Sequence, residues 1–135
     1  MGRTQKVCPV LLRGSLPDRQ ILAFRHPLAG KQIVKGTVKP EEALEDAAIR
    51  ELREESGVAA AAAGKIGSLA FDELCEDWHF VLCQADSLAD ECTHWTDDDG
   101  GHLFAFFWQS LTASPGGDWH PNFERALRYI GTLAV

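Results

Sequence analysis

The sequence has no hydrophobic run long enough to cross a membrane as a helix. No stretch of about 18 apolar residues, the length that a membrane-spanning helix needs, occurs among its 135 residues. Its first residues, MGRTQKV, also lack the apolar segment that is typical of a signal peptide. We therefore expect a cytoplasmic protein with no membrane partner.

Paired cysteine motifs are also missing. The four cysteines include no C-x-x-C pair; they are Cys8, Cys75, Cys83 and Cys92. We interpret them as reduced and mostly packed thiols. Cys92 and His94, with His79 and Cys83 nearby in the sequence, carry atoms that bind zinc, but their spacing matches none of the usual zinc patterns.

Positive charge is scarce after residue 40. The net charge is −7, and the first 40 residues hold eight basic residues against one acidic residue, whereas the remainder holds five basic and nineteen acidic residues. So acidic a chain argues against a protein that binds duplex nucleic acid, because such proteins normally present a basic patch. The asymmetry allows a basic wall beside an acidic site, which would suit a small polyphosphate. The alternative is a set of solvated cations on strand edges.

The chain shows no internal repeat and no low-complexity linker, and its length and composition suit one domain that spans residues 1–135. Hydrophobic residues make up 45% and charged residues 24% of the sequence, as in ordinary globular proteins. The patterns of apolar residues predict five strands and a short one, at residues 4–13, 20–25, 31–35, 65–71, 78–85 and 101–111. Residues 87–101 are polar and are predicted to form a loop.

Two helices are predicted. One runs from Pro40 to Ser56, with proline in the first turn and Gly57 as the left-handed residue that ends it. The other runs from Asn122, as its N-cap, to about Ala134, because Phe123 and the apolar residues after it recur at helical spacing. Strands, a helix, more strands and a final helix predict an α/β domain with a mixed sheet between helices.

The C-terminal end of the first predicted helix carries an unusual cluster of acids. Glu51, Glu54 and Glu55 stand at spacings of three and four residues, so their side chains share one face of the helix. Like charges at this spacing repel, and acids near a helix C-terminus oppose the helix dipole. A bound Mg²⁺ or Mn²⁺ would reverse this penalty, since carboxylate oxygens are the ligands that both cations prefer. A solvated acidic face, partly neutralised by Arg50 and Arg53, is the simpler alternative.

The surrounding stretch favours the metal interpretation. Residues 36–58 read GTVKPEEALEDAAIRELREESGV and match the pattern G-x5-E-x7-R-E-U-x-E-E-x-G-U, where U is aliphatic, at all nine specified positions. This pattern resembles the signature box of the Nudix hydrolases. The resemblance implies an α/β/α sandwich and an enzyme that uses Mg²⁺ or Mn²⁺ to hydrolyse a nucleoside diphosphate linked to another moiety. A nucleoside triphosphate or a dinucleoside polyphosphate is such a substrate.

The resemblance also implies roles for residues of the box. Glu51, Glu54 and Glu55 correspond to metal ligands, and the backbone carbonyl of Lys35 to a further ligand. Arg50 corresponds to the residue that orients a glutamate of the box, with Glu42 supporting it. Many relatives have glycine where this chain has Lys35. The Lys-Gly form resembles members that act on dinucleoside polyphosphates or diphosphoinositol phosphates.

The chemistry of a charged phosphate anhydride suggests further candidates. A carboxylate must take the proton of the attacking water, and Glu51, Glu54 or an acid of the Asp97-Asp98-Asp99 run could do so. Asp98 is also a candidate metal ligand; the alternative for this run, followed by two glycines, is a solvated turn. Three basic residues are candidate substrate contacts, namely Arg25, Lys31 and Lys35. Three aromatic residues could stack on a base or simply pack, namely Trp78, Trp95 and Phe104.

Other functions stay open at this level. A Nudix module that binds a nucleotide without cleaving it is the main alternative, and an isomerase on the same fold is another. Monomer and homodimer are both compatible with the sequence. We expect substrate choice to depend on loops outside the box, at residues 26–32, 74–78 and 87–101.

Overall fold

The computed structural model describes residues 2–97 and 100–133. Within these ranges the chain forms eight strands and two helices: β1 (Thr4–Arg13), β2 (Gln20–His26), β3 (Gly30–Gln32), β4 (Gly36–Thr37), α1 (Leu44–Ser56), β5 (Ala61–Phe71), β6 (Glu76–Gln84), β7 (Cys92–Thr96), β8 (His102–Ser110) and α2 (Pro121–Thr132). A short 3-10 helix, Asp72–Leu74, joins β5 to β6. No helix in the described ranges is long and apolar enough to cross a membrane.

The strands form one mixed sheet in the order β5-β6-β1-β2-β8-β7, with β3 paired to β2 and β4 paired to β1. The β1–β6 pair is parallel, whereas the other pairs are antiparallel. The parallel pair extends from Thr4 beside Glu76 to Leu11 beside Cys83. This topology brings β4, and with it the start of the box, next to the centre of the sheet.

Each face of the sheet is covered by one helix. Alternate residues of the central strands point to opposite faces, and the core divides accordingly into two clusters. Cys8, Val10 and Phe80 pack with residues of α2, whereas Val7 and Val81 pack with residues of α1. The prediction of an α/β/α sandwich with a mixed sheet is confirmed, and so is the burial of β6 on both faces.

Helix α1 begins at Leu44, later than the predicted start at Pro40. The residues before it form a turn in which Glu41 has a φ of 65°, and a left-handed residue cannot continue a right-handed helix. The Glu42 N–H donates to the Lys39 carbonyl at 3.0 Å, and the Lys39 N–H donates back to the Glu42 carboxylate at 3.0 Å. These two bonds hold the turn and take Pro40 out of the helix.

The other end of α1 is as predicted. Gly57 has a φ of 76°, and its N–H donates to the Arg53 carbonyl at 2.9 Å. Ala47, Ala48 and Leu52 bury the apolar face of the helix against the sheet. The acidic end of α1 is therefore fixed by a rigid cap on one side and by core packing on the other.

Several strands differ from their predicted bounds. The expected strand at 31–35 is divided between β3 and β4, and β5 starts at Ala61 because irregularities in register beside Gly64 and Gly67 let the strand pass these glycines. The loop predicted at 87–101 contains β7, an edge strand in which exposed residues alternate with buried or half-buried ones. Its short length and polar side chains concealed this period-two pattern.

Helix α2 starts one residue earlier than predicted. Its N-cap is His120, whose Nδ1 accepts a hydrogen bond from the Asn122 N–H at 3.2 Å, and Pro121 occupies the first helical position. Asn122, the predicted cap, therefore lies inside the helix. The helix buries Phe123 and Ile130, among others, against the sheet.

The four cysteines are free thiols, of which Cys8 and Cys83 are buried, Cys92 is half-buried and Cys75 is exposed. Burial raises the pKa of Cys83 to about 11 and raises that of Cys8 further. Within the described ranges, no group of three His, Cys, Asp or Glu side chains is close enough to hold a metal ion.

Candidate metal and catalytic site

The acidic end of α1 opens onto a cavity of about 1350 Å³, called the main cavity below. Residues from four parts of the chain line it: Lys6 of β1, the segment through β4, the outward face of α1, and the end of β7 with Asp97. The predicted site residues in this lining are Lys35, Gly36, Arg50, Glu51, Glu54 and Glu55, together with the candidates Trp95 and Asp97. The fold thus brings the residues of the box to one surface.

Arg50 is the centre of the polar network at this surface. Its Nε and Nη2 donate to the two oxygens of Glu42 at 2.8 and 2.9 Å. Its Nη1 donates to Glu51 at 2.7 Å and to Glu54 at 3.2 Å, and Nη2 also donates to the Thr37 carbonyl at 3.1 Å. One guanidinium therefore ties the turn before α1 to β4 and to two carboxylates of the helix.

The Arg50–Glu42 pair is largely shielded from solvent, with side-chain exposures of 20% and 15%. The hydrogen bonds from Arg50 are the largest cause that lowers the pKa of Glu42, to about 2, and the Lys39 N–H adds to the effect. In return, the bond to Glu42 is the largest cause that raises the pKa of Arg50. Both groups consequently stay ionised at neutral pH, and Glu42 anchors the arginine that holds the other acids.

Gly36 is required by a close approach rather than by its backbone conformation. A Cβ atom added at this position would overlap the carboxylate of Glu51. Gly36 pairs with Val7 of β1, so the strand cannot easily retreat. Glycine thus allows the Glu51 carboxylate to lie directly against the backbone of β4, at the wall of the main cavity.

The three acids at the end of α1 differ in exposure. The Glu51 side chain is 12% exposed and that of Glu54 is 53% exposed, while Glu55 is buried at 5%. Glu55 lines both the main cavity and a second cavity of about 560 Å³ on its other side. The exposure of the three acids therefore decreases from Glu54 through Glu51 to Glu55.

The chemistry of these residues fits a hard divalent cation. Three carboxylates and a backbone carbonyl, that of Lys35, are oxygen donors of the kind that Mg²⁺ and Mn²⁺ prefer. The carboxylates of Glu51 and Glu54 are here held by Arg50, and over the ranges described they do not converge with a third acid into a ligand cluster. Asp98, the further candidate ligand, lies outside the described residues.

The side chain of Lys35 lies at the boundary between the two cavities and lines both. Its Nζ is 4.4 Å from the centre of the Trp78 ring, 5.2 Å from that of Phe123 and 3.7 Å from a Glu76 oxygen. Burial is the main cause that lowers the pKa of Lys35, and Glu76 opposes it. The departure from glycine therefore puts an ammonium group beside the candidate site.

The other two basic residues that were predicted to contact the substrate, Arg25 and Lys31, lie outside both cavities. Arg25 and Lys31 are register partners on β2 and β3, and both side chains lie near the ring of Phe107, at 5.5 and 5.8 Å. Arg25 also lies 3.7 Å from Asp118. Neither residue is among those that line the main or the second cavity.

A different group of basic residues lines the main cavity. It consists of Lys6, Lys35, Lys39, Arg50 and Arg53. Lys6, Lys35 and Lys39 belong to the basic first 40 residues, whose asymmetry of charge allowed a basic wall beside the acids. Of these residues, Lys35 alone was among the substrate contacts predicted from the sequence, because the position of Lys6 beside the cavity depends on the pairing of β1 with β4.

The aromatic candidates separate clearly. Trp78 is fully buried and Phe104 is 3% exposed, so both pack in the core, although each also borders the second cavity. Trp95 is 58% exposed and lines the main cavity with His94 and Asp97. The sequence analysis placed these residues in a loop, because the short sequence of β7 shows no alternation of apolar and polar residues.

Comparison with known protein families supports the resemblance that the box shows. The NUDIX domain family model matches residues 6–127. No curated protein matches the sequence.

Solved structures share the fold. A NUDIX family hydrolase from Clostridium perfringens superposes with a TM-score of 0.66 at 14% identity, covering 97% of both chains. An ADP-ribose pyrophosphatase from Streptococcus suis gives 0.64 at 16% identity, covering 93% of this chain and 87% of that one. A MutT NUDIX hydrolase from Burkholderia pseudomallei gives 0.63 at 22% identity, covering 94% and 96%. At these identities the likeness concerns the fold alone.

Proposed function

The chain belongs to the Nudix family of pyrophosphohydrolases, and we propose that it cleaves the P–O–P link of a nucleoside diphosphate joined to another group. Nucleoside triphosphates, dinucleoside polyphosphates and ADP-ribose are the first substrates to test. The observation that carries this proposal is the network at the main cavity, in which Arg50 joins Glu42, Glu51 and Glu54 beside the close approach at Gly36.

Mg²⁺ or Mn²⁺ is the proposed cofactor. Glu51, Glu54, Glu55 and the carbonyl of Lys35 would hold it, with Asp98 as a further candidate. When bound, such a cation neutralises charge on phosphate oxygens and lowers the pKa of water at the site. The proposal rests on the donor chemistry of these residues and on their common lining of the main cavity.

Arg50 acts as a positioning residue in this proposal. It holds Glu51 and Glu54 on one side while Glu42 and the Thr37 carbonyl fix its other donors. Because a bidentate pair with Glu42 fixes the plane of the guanidinium, the two carboxylates are held near their working positions. Releasing them toward a ligand leaves Arg50 still paired with Glu42.

The proton of the attacking water passes to a carboxylate of the main cavity. Glu51 and Glu54 are candidates on α1, and Asp97, at the start of the acidic run after β7, lines the same cavity. Attack in line with the leaving oxygen then breaks the phosphorus–oxygen bond of the anhydride. The two products each retain a phosphate group, and the water oxygen is incorporated in one of them.

Cations around the main cavity would bind the phosphate chain. Lys6, Lys35, Lys39 and Arg53 line it together with the acids. Such a wall attracts a polyanion that would otherwise be repelled by three glutamates. Among the substrate contacts predicted from the sequence, Lys35 is the one that this cavity supports.

Turnover of a substrate panel tests the proposal. The protein is incubated with nucleoside triphosphates, dinucleoside polyphosphates, ADP-ribose and diphosphoinositol phosphates in the presence of Mg²⁺ or Mn²⁺, and products are separated by ion-exchange chromatography. We expect at least one substrate to be cleaved at a P–O–P link. Glu54→Gln and Glu55→Gln should abolish this turnover while the melting curve stays cooperative.

Glu73→Gln is the matched control, because Glu73 is an exposed acid that lines neither cavity. It should retain full activity. Turnover that survives Glu54→Gln unchanged would contradict the ligand assignment. Tight binding of one panel member without cleavage would instead favour a module that senses a nucleotide.

A further inference from the structure

Trp95 presents a large aromatic surface to solvent at the main cavity. It is 58% exposed, in contrast to Trp78 and Trp119, which are 0% and 6% exposed. It lines the same cavity as the acids of α1 and the basic residues around them. Exposure of an indole at the wall of a charged cavity suggests contact with a ligand that has a flat apolar face.

The indole is held in place by its neighbours. Its Nε1–H donates to an oxygen of Asp97 at 3.2 Å. Gly101 lies close to the ring, where an added Cβ would come within 2.5 Å of it, and this glycine has a φ of 95°. Glycine at this position therefore serves both the turn after β7 and the seat of the ring, so little side-chain freedom remains for a ligand to remove.

Other aromatic rings near the site have their faces occupied. Phe104 stacks on Phe24 with ring centres 4.3 Å apart. Trp78 lies against Phe71 at 4.0 Å and carries the Lys35 ammonium at 4.4 Å. In the described part of the chain, no other ring or cation stacks on Trp95 in this way.

We propose that Trp95 is the stacking surface for the aromatic base of the substrate, so that it favours substrates that carry a base over those that do not. The inference rests on the proposed function, since it assigns a binding place to one part of a nucleotide substrate. The phosphates occupy the main cavity between the acids and the basic wall, and the base lies over the indole at the edge of that cavity. Stacking of this kind accepts any base, because every base has an aromatic face.

Binding of reaction products tests this assignment without requiring catalysis. The probes are AMP, GMP, CMP and UMP, with ribose 5-phosphate as the comparator that lacks a base, each titrated calorimetrically in the presence of Mg²⁺. The wild type should bind the best nucleotide more tightly than ribose 5-phosphate. Trp95→Ala should weaken the binding of that nucleotide by about tenfold, the loss typical of one base–aromatic stack. The affinity for ribose 5-phosphate should stay unchanged.

Two further variants separate stacking from a structural role. Trp95→Phe keeps a ring, so it should retain most of the affinity but lose the nucleotide-induced quenching of Trp95 fluorescence. Leu103→Ala is the matched control, because Leu103 is the register partner of Trp95 on β8, is 54% exposed and does not line the main cavity. It should leave nucleotide affinity unchanged.

Three results would overturn the assignment: equal nucleotide affinity in wild type and Trp95→Ala, an equal loss in Leu103→Ala, or no nucleotide that exceeds ribose 5-phosphate. If nucleotides still bind more tightly than ribose 5-phosphate but Trp95→Ala does not change their affinity, the second cavity is the better candidate for the base. Turnover measured on the same proteins distinguishes the two proposals. Cleavage that does not depend on Trp95 would contradict only the proposed stacking surface. Binding that depends on Trp95 without any cleavage would contradict only the proposed hydrolase activity.

Discussion

Replacing Gly36 by alanine perturbs the site through one methyl group. Gly36 does not have a left-handed backbone, so alanine is compatible with its conformation, and the three atoms nearest to the added Cβ all belong to the carboxylate of Glu51. That carboxylate is the far end of a flexible side chain and can move aside. The substitution should therefore displace Glu51 and leave the sheet and α1 intact.

The cost in stability follows from the contact that is lost. The Arg50–Glu51 hydrogen bond is charge-assisted and mostly shielded, which makes it worth about 1.5–3 kcal/mol. Alanine offsets about 0.4–1 kcal/mol of this by restricting the unfolded chain. The net loss of about 1–2 kcal/mol should lower the melting temperature of a chain of this length by about 3–8 °C.

The effect on activity should be larger. Displacing a catalytic or metal-binding carboxylate by about 1 Å reduces turnover by roughly a hundredfold, so kcat/KM for the best substrate should fall by about that factor. Steady-state kinetics with saturating Mg²⁺ and thermal unfolding monitored by circular dichroism measure both quantities. Gly117→Ala is the control, because Gly117 has open space around its Cβ position and an ordinary φ.

Full activity in Gly36→Ala would refute the reasoning, because it would mean that the position of the Glu51 carboxylate against β4 does not matter. Unfolding of the variant at room temperature would contradict the expectation that only the Glu51 side chain moves. The clash would then be absorbed by the backbone of β4 and not by the side chain. Gly117→Ala should behave as the wild type in both assays.

Two further predictions concern stability. Glu42→Gln should lower the free energy of unfolding by about 1–2 kcal/mol at pH 7. Because the pKa of Glu42 is lowered to about 2, this difference between the wild type and the variant should persist above about pH 4.5 and vanish as the pH falls toward 2. Unfolding by guanidinium chloride at pH 7 and pH 3 measures it, and a difference that does not depend on pH would contradict the prediction. Gly57→Ala should cost about 1 kcal/mol or more, since Gly57 has a φ of 76° and its added Cβ would lie 3.0 Å from His94, and an unchanged melting temperature would argue against this cap.

The residues of α1 show what the sequence could predict about the site. Spacing along a helix placed Glu51, Glu54 and Glu55 on one face, and the structure brings them to one cavity. The predicted start of the helix at Pro40 was wrong, because a turn before the helix overrides the preference of proline for the first helical turn. Glu41 in the left-handed region and the bonds between Lys39 and Glu42 form a turn that no pattern of apolar residues signals.

The basic wall shows where sequence reasoning stops. Charge asymmetry left open whether cations of the first 40 residues lie beside the acids or are solvated on strand edges, and Lys6, Lys35 and Lys39 line the cavity with the acids. Arg25 and Lys31 were chosen with equal reason, yet they lie on β2 and β3 beside Phe107. The choice depends on strand order and register, which are set by contacts distant in sequence.

The loops expected to select the substrate do border the two cavities. Residues 94–97, within the predicted segment 87–101, line the main cavity, whereas His26 to Gln32 and Leu74 to Trp78 contribute to the second. The sequence could not place Trp95 on a strand, because β7 is short and exposes every second side chain. Its position over the main cavity emerges only when β7 pairs with β8.

Binding of Mn²⁺ tests the central assignment most directly, because it depends on the carboxylates and not on any substrate. Free Mn²⁺ is counted by electron paramagnetic resonance during titration of the wild type, Glu54→Gln, Glu55→Gln and the control Glu73→Gln. Each of the first two substitutions should weaken binding by at least about tenfold, a loss already typical of residues that merely support a metal ligand, while Glu73→Gln should bind as the wild type does. Equal affinity in all four proteins would contradict the account.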